Sequence, residues 1–114
     1  SLRSGDAAGA ARDATVALSL QPAVAHSWCD RSEARWALGD LEGARADAAS
    51  ALALDPDAWR GHERLSTALL GLGRHAEALA AAEAAVDRRT NGPTLRARGL
   101  ARLATGSLEG ARAD

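Results

Sequence analysis

Apolar residues recur along this chain at helical spacing, and small residues fill the gaps between them. Asp57-Ala58 offers an N-cap, and Trp59, Leu65, Leu69 and Leu72 follow on one side of a predicted helix. Gly73 stops that run where a residue in the left-handed conformation is wanted. A second run covers 76–88, with Ala78, Leu79, Ala82, Ala85 and Val86 on one stripe. The same reading predicts helices near 8–19, 25–38, 42–53 and 93–105. Pro56 ends one of them by biasing Asp55 away from the α region, and Pro93 suits the opening of another.

The pattern repeats. Gly39-Asp40-Leu41-Glu42-Gly43-Ala44-Arg45-Ala46-Asp47 returns as Gly106-Ser107-Leu108-Glu109-Gly110-Ala111-Arg112-Ala113-Asp114. Gly5, Gly39 and Gly73 are 34 residues apart, and Gly106 follows after 33. Ala17, Ala51 and Ala85 keep the same phase, as do Leu18, Leu52 and Val86. A fixed period of this length marks stacked supersecondary units, each unable to bury its apolar stripe alone. The expected architecture is all-α: a right-handed superhelical solenoid of antiparallel helix pairs, and an excerpt of a longer array. It divides into 1–24 (mainly the second helix of a repeat), full repeats at 25–58 and 59–91, and a truncated repeat at 92–114.

Composition sharpens this. Thirty of the 114 residues are Ala and sixteen are Leu, while Phe, Tyr, Met, Ile and Lys are absent. Strong helix formers dominate and strand formers are scarce, which excludes a sheet protein. Ala44, Ala48 and Ala51, like Ala78, Ala82 and Ala85, are expected to let neighbouring helices approach closely. A net charge of −1 gives no cation surplus for a nucleic acid. No apolar run nears the ~20 residues that span a bilayer. The single cysteine, Cys29, excludes an internal disulfide framework and fits a reducing, cytoplasmic setting.

Trp28, Leu65-Ser66 and Gly99, with the alanines and prolines in phase, resemble the tetratricopeptide repeat pattern W-x2-L-G-x2-Y…A-x3-F…A…P. Arg31, Arg35, Arg98 and Arg102 fall in slots that are usually apolar, and Ala14, Ala48 and Ala82 replace the large aromatic, which predicts a weakened core. The likeness is nearest to chaperone-binding cochaperones, whose cationic clamp holds the C-terminal carboxylate of a heat-shock chaperone. Cys29-Asp30-Arg31-Ser32 resembles their Asn-Arg-Ser run, with Asp30 in place of the amide. Arg60-Gly61-His62-Glu63-Arg64 resembles their Lys-Ala-Tyr-x-Arg run. The resemblance thus implies Arg60 and Arg64 as the basic pair of a clamp, on one face of a first helix. The helix carrying the remaining clamp residues is expected before Ser1.

The family's first helices line a concave groove, so His26, Cys29, Asp30, Glu33 and Trp36, then Arg60, Arg64, Thr67 and Leu70, then Arg96, Leu100 and Leu103 are expected to project into it. Asp30, Glu33, Trp36, Arg60, Arg64, Thr67 and Arg96 are the candidate peptide-binding set, with Trp36 as an aromatic anchor. His26, Cys29, Asp30 and Glu33 have helical spacing that permits a metal, but nothing else marks a closed site, so no metal or cofactor is expected. His62 and His75 are expected as packing or surface residues. No catalytic motif is present. The reading is a protein-interaction scaffold binding a peptide or partner protein, with a chaperone C-terminus as one candidate. The alternative is a set of spacer repeats in a larger protein. Neither a nucleic acid nor a membrane is an expected partner.

Overall fold

The computed structural model describes the backbone from Ser4 to Ala113 and the side chains from Asp6 to Gly106. Six helices account for it: α1 (Ser4–Leu20), α2 (Ala25–Ala37), α3 (Leu41–Leu54), α4 (Trp59–Gly71), α5 (His75–Arg88) and α6 (Gly92–Ala113). The described residues contain no strand. Each helix packs on the next, and α2 and α6 also touch α4, so the first members of successive pairs form one continuous wall. The result is an all-α helical repeat.

Local chemistry sets the boundaries. Gly39 and Gly73 adopt φ of 85° and 80°, the left-handed turn that a side chain would oppose. At both, the amide of the glycine and that of the following residue bond back into the helix: Gly39 to Trp36 (3.0 Å) and Asp40 to Arg35 (2.8 Å), Gly73 to Leu70 (3.1 Å) and Arg74 to Leu69 (2.9 Å). Asp40 then caps α3 by accepting from the Gly43 amide at 3.0 Å. Asn91 and Thr94 cap α6 reciprocally, each side chain accepting from the other's amide at 3.0 Å.

Three boundaries differ from expectation. Helix α1 begins at Ser4 instead of near residue 8. Asp57 does not cap α4; Ala58 holds the cap position without a side-chain bond, and the Asp57 amide instead donates to Asp55 Oδ1 at 3.2 Å. Helix α6 also passes through Gly106 instead of stopping near 105. Gly106 does not take the positive φ of Gly39 and Gly73. A mid-helix glycine costs only about 1 kcal/mol, so the helix can continue through it.

The period is visible as repeated bonds. Ser32 Oγ donates to the Ala44 carbonyl at 2.8 Å, and Ser66 Oγ donates to the Ala78 carbonyl at 2.8 Å. Trp28 Nε1 donates to the Pro22 carbonyl at 2.9 Å, and His62 Nε2 meets the Pro56 carbonyl at 2.8 Å. His62 therefore stands 34 residues after Trp28 and performs the same bond, a role its residue type did not suggest. Trp28 is half-buried, with the Arg31 guanidinium 5.2 Å from its ring centroid.

Burial follows the small residues. Ala44, Ala48, Ala51, Ala78, Ala82 and Ala85 are fully enclosed, and Leu69, Ala78, Ala81, Ala82, Ala97 and Ala101 form a core against which Leu65, Leu70 and Leu79 pack. The closeness is measurable at Gly61, where an added Cβ would lie 2.7 Å from Leu52 Cδ2 on α3. Arg31 and Arg35 do not simply weaken this core. Both reach Asp47, which is 2% exposed: Arg31 through Nε and an Nη at 2.9 Å each, Arg35 through an Nη at 3.2 Å. The two guanidiniums that fill slots expected to be apolar are thus satisfied together by one buried carboxylate.

Candidate functional site

The wall formed by α2, α4 and α6 is concave. Glu33, Trp36 and Ala37 from α2, Glu63, Arg64 and Thr67 from α4, and Pro93, Arg96, Ala97 and Leu100 from α6 enclose a cleft of about 560 Å³. Trp36 and Leu100 remain 42% and 49% exposed, so the cleft offers a large apolar surface beside its charges. Its volume lies in the range of ligand-sized clefts, and its lining is both apolar and charged.

The electrostatics are organised as pairs. Arg64, largely buried, holds Glu63 bidentately, with Nε to Oε1 at 2.9 Å, and its other Nη approaches Glu33 at 3.7 Å. Burial pulls the Arg64 pKa down, but the hydrogen bond and charge of Glu63, with Glu33 behind it, outweigh burial and the net shift is upward. The Thr67 hydroxyl donates to the Glu63 backbone carbonyl at 3.0 Å, with Glu63 Oε2 as the alternative acceptor at 3.3 Å. One turn away, Arg60 reaches Asp30 at 3.6 Å and His26 Nδ1 at 3.1 Å, while His26 Nε2 lies 3.2 Å from Asp30. Arg donates to Nδ1, so the neutral imidazole carries its proton on Nε2 and offers it to Asp30.

The structure brings five of the seven candidate residues to one cleft: Glu33, Trp36, Arg64, Thr67 and Arg96. Asp30 and Arg60 pair with each other outside its lining. The candidate clamp pair is present on one helix, yet both guanidiniums already face the chain's own carboxylates. Two groove expectations are corrected. Cys29 is 2% exposed beneath this network instead of projecting from it, and Leu70 packs against the core. Burial pushes the Cys29 thiol up, with Arg60 and Arg64 only partly opposing, so it is a poor nucleophile. Among the described residues no three His, Cys, Asp or Glu side chains are placed to share a metal ion. Also among the described residues, no helix is long and apolar enough to cross a membrane.

Ala37, Glu63, Pro93 and Ala97 were not foreseen as lining. A signal existed for Glu63: it precedes Arg96, an expected groove position, by one 33-residue step of the repeat.

An all-α array of paired helices with a cleft along its first helices is the architecture of an interaction module. A tetratricopeptide repeat model matches residues 29–93 and 64–114, and the chain belongs to that family. Among solved structures it is similar to the Sgt2 repeat domain from Aspergillus fumigatus, with 26% identity and a TM-score of 0.85 over 96% of this chain and 73% of that one. It is also similar to the TPR2B domain of yeast Sti1, solved as a complex with pHsp70, with 26% identity and a TM-score of 0.81 over 90% and 86%. The repeat domain of Arabidopsis OM64 matches with 27% identity and a TM-score of 0.75 over 81% and 77%. No curated protein matches the sequence.

Proposed function

We propose that this chain is a protein-interaction module that holds an extended, carboxylate-bearing peptide in the cleft between α2, α4 and α6. The observation that carries the reading is the cleft itself: three helices from successive pairs present Trp36, Leu100, Arg64, Thr67 and Arg96 to one space. An exposed Trp beside Arg is the composition of a binding hot spot. The likeness to the Sti1 domain supports the acidic C-terminus of a heat-shock chaperone as the candidate ligand. Asp30, Glu33, Trp36, Arg60, Arg64, Thr67 and Arg96 form the groove set. For Arg60 and Arg64 to grip a terminal carboxylate, the ligand has to displace Asp30, Glu33 and Glu63 from them.

The test is fluorescence anisotropy with a labelled peptide ending in Glu-Val-Asp. Saturable, salt-sensitive binding that falls at least about tenfold in Trp36→Ala, with helicity unchanged, supports the reading. Absence of saturable binding would leave the repeats as spacers.

A further inference from the structure

We infer that the carboxylate this groove recognises is an internal Glu or Asp side chain of the bound segment, held by Arg96 and flanked by apolar residues on both sides. The inference rests on the peptide reading of the cleft and assigns its polar contact.

Three guanidiniums belong to the concave face, and they are not equivalent. Arg64 is tied to Glu63, a carboxylate only 5% exposed, so a ligand that took Arg64 would strand a buried anion. Arg60 is shared between Asp30 and His26. Arg96 differs from both. It is exposed, lines the cleft, and among the described residues no carboxylate approaches it within 4.0 Å. The repeat explains the contrast. Allowing for the shorter 33-residue step, Arg96 occupies the phase of Cys29 and Glu63, and Ala97 that of Asp30 and Arg64. The third period therefore carries a cation without the acid that accompanies it in the second.

The surroundings of Arg96 restrict the ligand further. Pro93 lies three residues before it and Leu100 four after, on the same face of α6, and both line the cleft with Ala97 between them. Trp36 faces them from α2. A carboxylate on Arg96 thus has apolar surface to either side along the helix. A segment reading apolar–acidic–apolar fills both sides; a chain that ends at its carboxylate fills one.

The nonapeptide SGPTIEEVD places a glutamate pair between isoleucine and valine and serves as the probe, labelled with fluorescein at its N-terminus. Binding to the wild-type chain is compared with Arg96→Gln and with Arg102→Gln, which removes an exposed cation of the same helix outside the cleft. Loss of one charge-assisted contact predicts affinity about tenfold weaker for Arg96→Gln and within about twofold for Arg102→Gln. Circular dichroism is expected to be unchanged in both, because both side chains are exposed. Replacing the two glutamates by glutamine should weaken binding about tenfold, and amidating the C-terminus should leave it within about twofold. Undiminished binding to Arg96→Gln overturns the inference alone. Loss on amidation also overturns it, and assigns the contact to the terminal carboxylate. Failure of the wild-type chain to bind overturns the peptide reading and this inference together.

Discussion

Arg31 and Asp47 face each other across the α2–α3 hairpin through two hydrogen bonds of 2.9 Å, and Arg35 joins the same carboxylate. Thirty-four residues later the equivalent positions are Leu65, Leu69 and Ala81: Leu69 and Ala81 belong to the apolar core and Leu65 packs against it. One phase of the repeat is thus built twice, once from charges and once from hydrocarbon. Removing Asp47 alone strands two guanidiniums that are 15% and 31% exposed, and partial exposure softens the loss. Asp47→Ala is expected to cost about 2–3 kcal/mol by urea denaturation. The triple change Arg31→Leu, Arg35→Leu, Asp47→Ala, which copies the second repeat, is expected to match or exceed wild-type stability. A triple variant as unstable as Asp47→Ala would show that the slots are not equivalent.

Two glycines separate packing from backbone propensity. At Gly61 a methyl would push on Leu52, with Cδ2 at 2.7 Å and Cγ at 3.0 Å, while nothing lies within 4 Å of a methyl at Gly99. Overpacking costs about 1–3 kcal/mol, against a helix-propensity gain of about 1 kcal/mol. Gly61→Ala should therefore lose about 1 kcal/mol and Gly99→Ala gain about 1 kcal/mol, read as opposite shifts in Tm.

His62 stands in for a tryptophan. His62→Trp keeps an N–H aimed at the Pro56 carbonyl and adds apolar surface, so stability should hold or rise. His62→Leu loses the bond and should cost about 1 kcal/mol. Equal stability of the two variants would show that the contact contributes nothing.

Cys29 sets a pH dependence. Its folded pKa lies above the ordinary thiol value because burial disfavours the thiolate. The folded chain then keeps a proton that the unfolded chain releases. The associated stability is fully present below the unfolded thiol pKa and is lost as pH rises through the folded one. Thermal melts from pH 7 to 10 should fall more steeply for wild type than for Cys29→Ser above about pH 9. Parallel curves would contradict the assignment.

The helices and their period were legible because alanine, leucine and the turn glycines act locally. Gly39 and Gly73 announce themselves in any reading. What could not be read was partnership across elements. The Arg31–Asp47 bond spans 16 residues and depends on how α2 lies on α3. The i, i+4 spacing of Arg60 and Arg64 put both on one face, but not which acids would meet them there. Glu63 is the sharper case, because adjacent residues on a helix point apart. Glu63 nevertheless folds back onto Arg64 once both are enclosed between helices. Exposure did not follow from the period either: Leu70, at the phase of Trp36, packs against the core, and Cys29 and Glu63, at the phase of Arg96, are buried.

The charged trio in one hairpin and its greasy counterpart in the next also guard assembly. Helices at the same phase of a repeat invite partner exchange, and α4 taking the place of α2 against α3 would set Leu65 and Leu69 against the carboxylate of Asp47. That mispairing traps an anion in hydrocarbon, so similar sequence elements find their own mates.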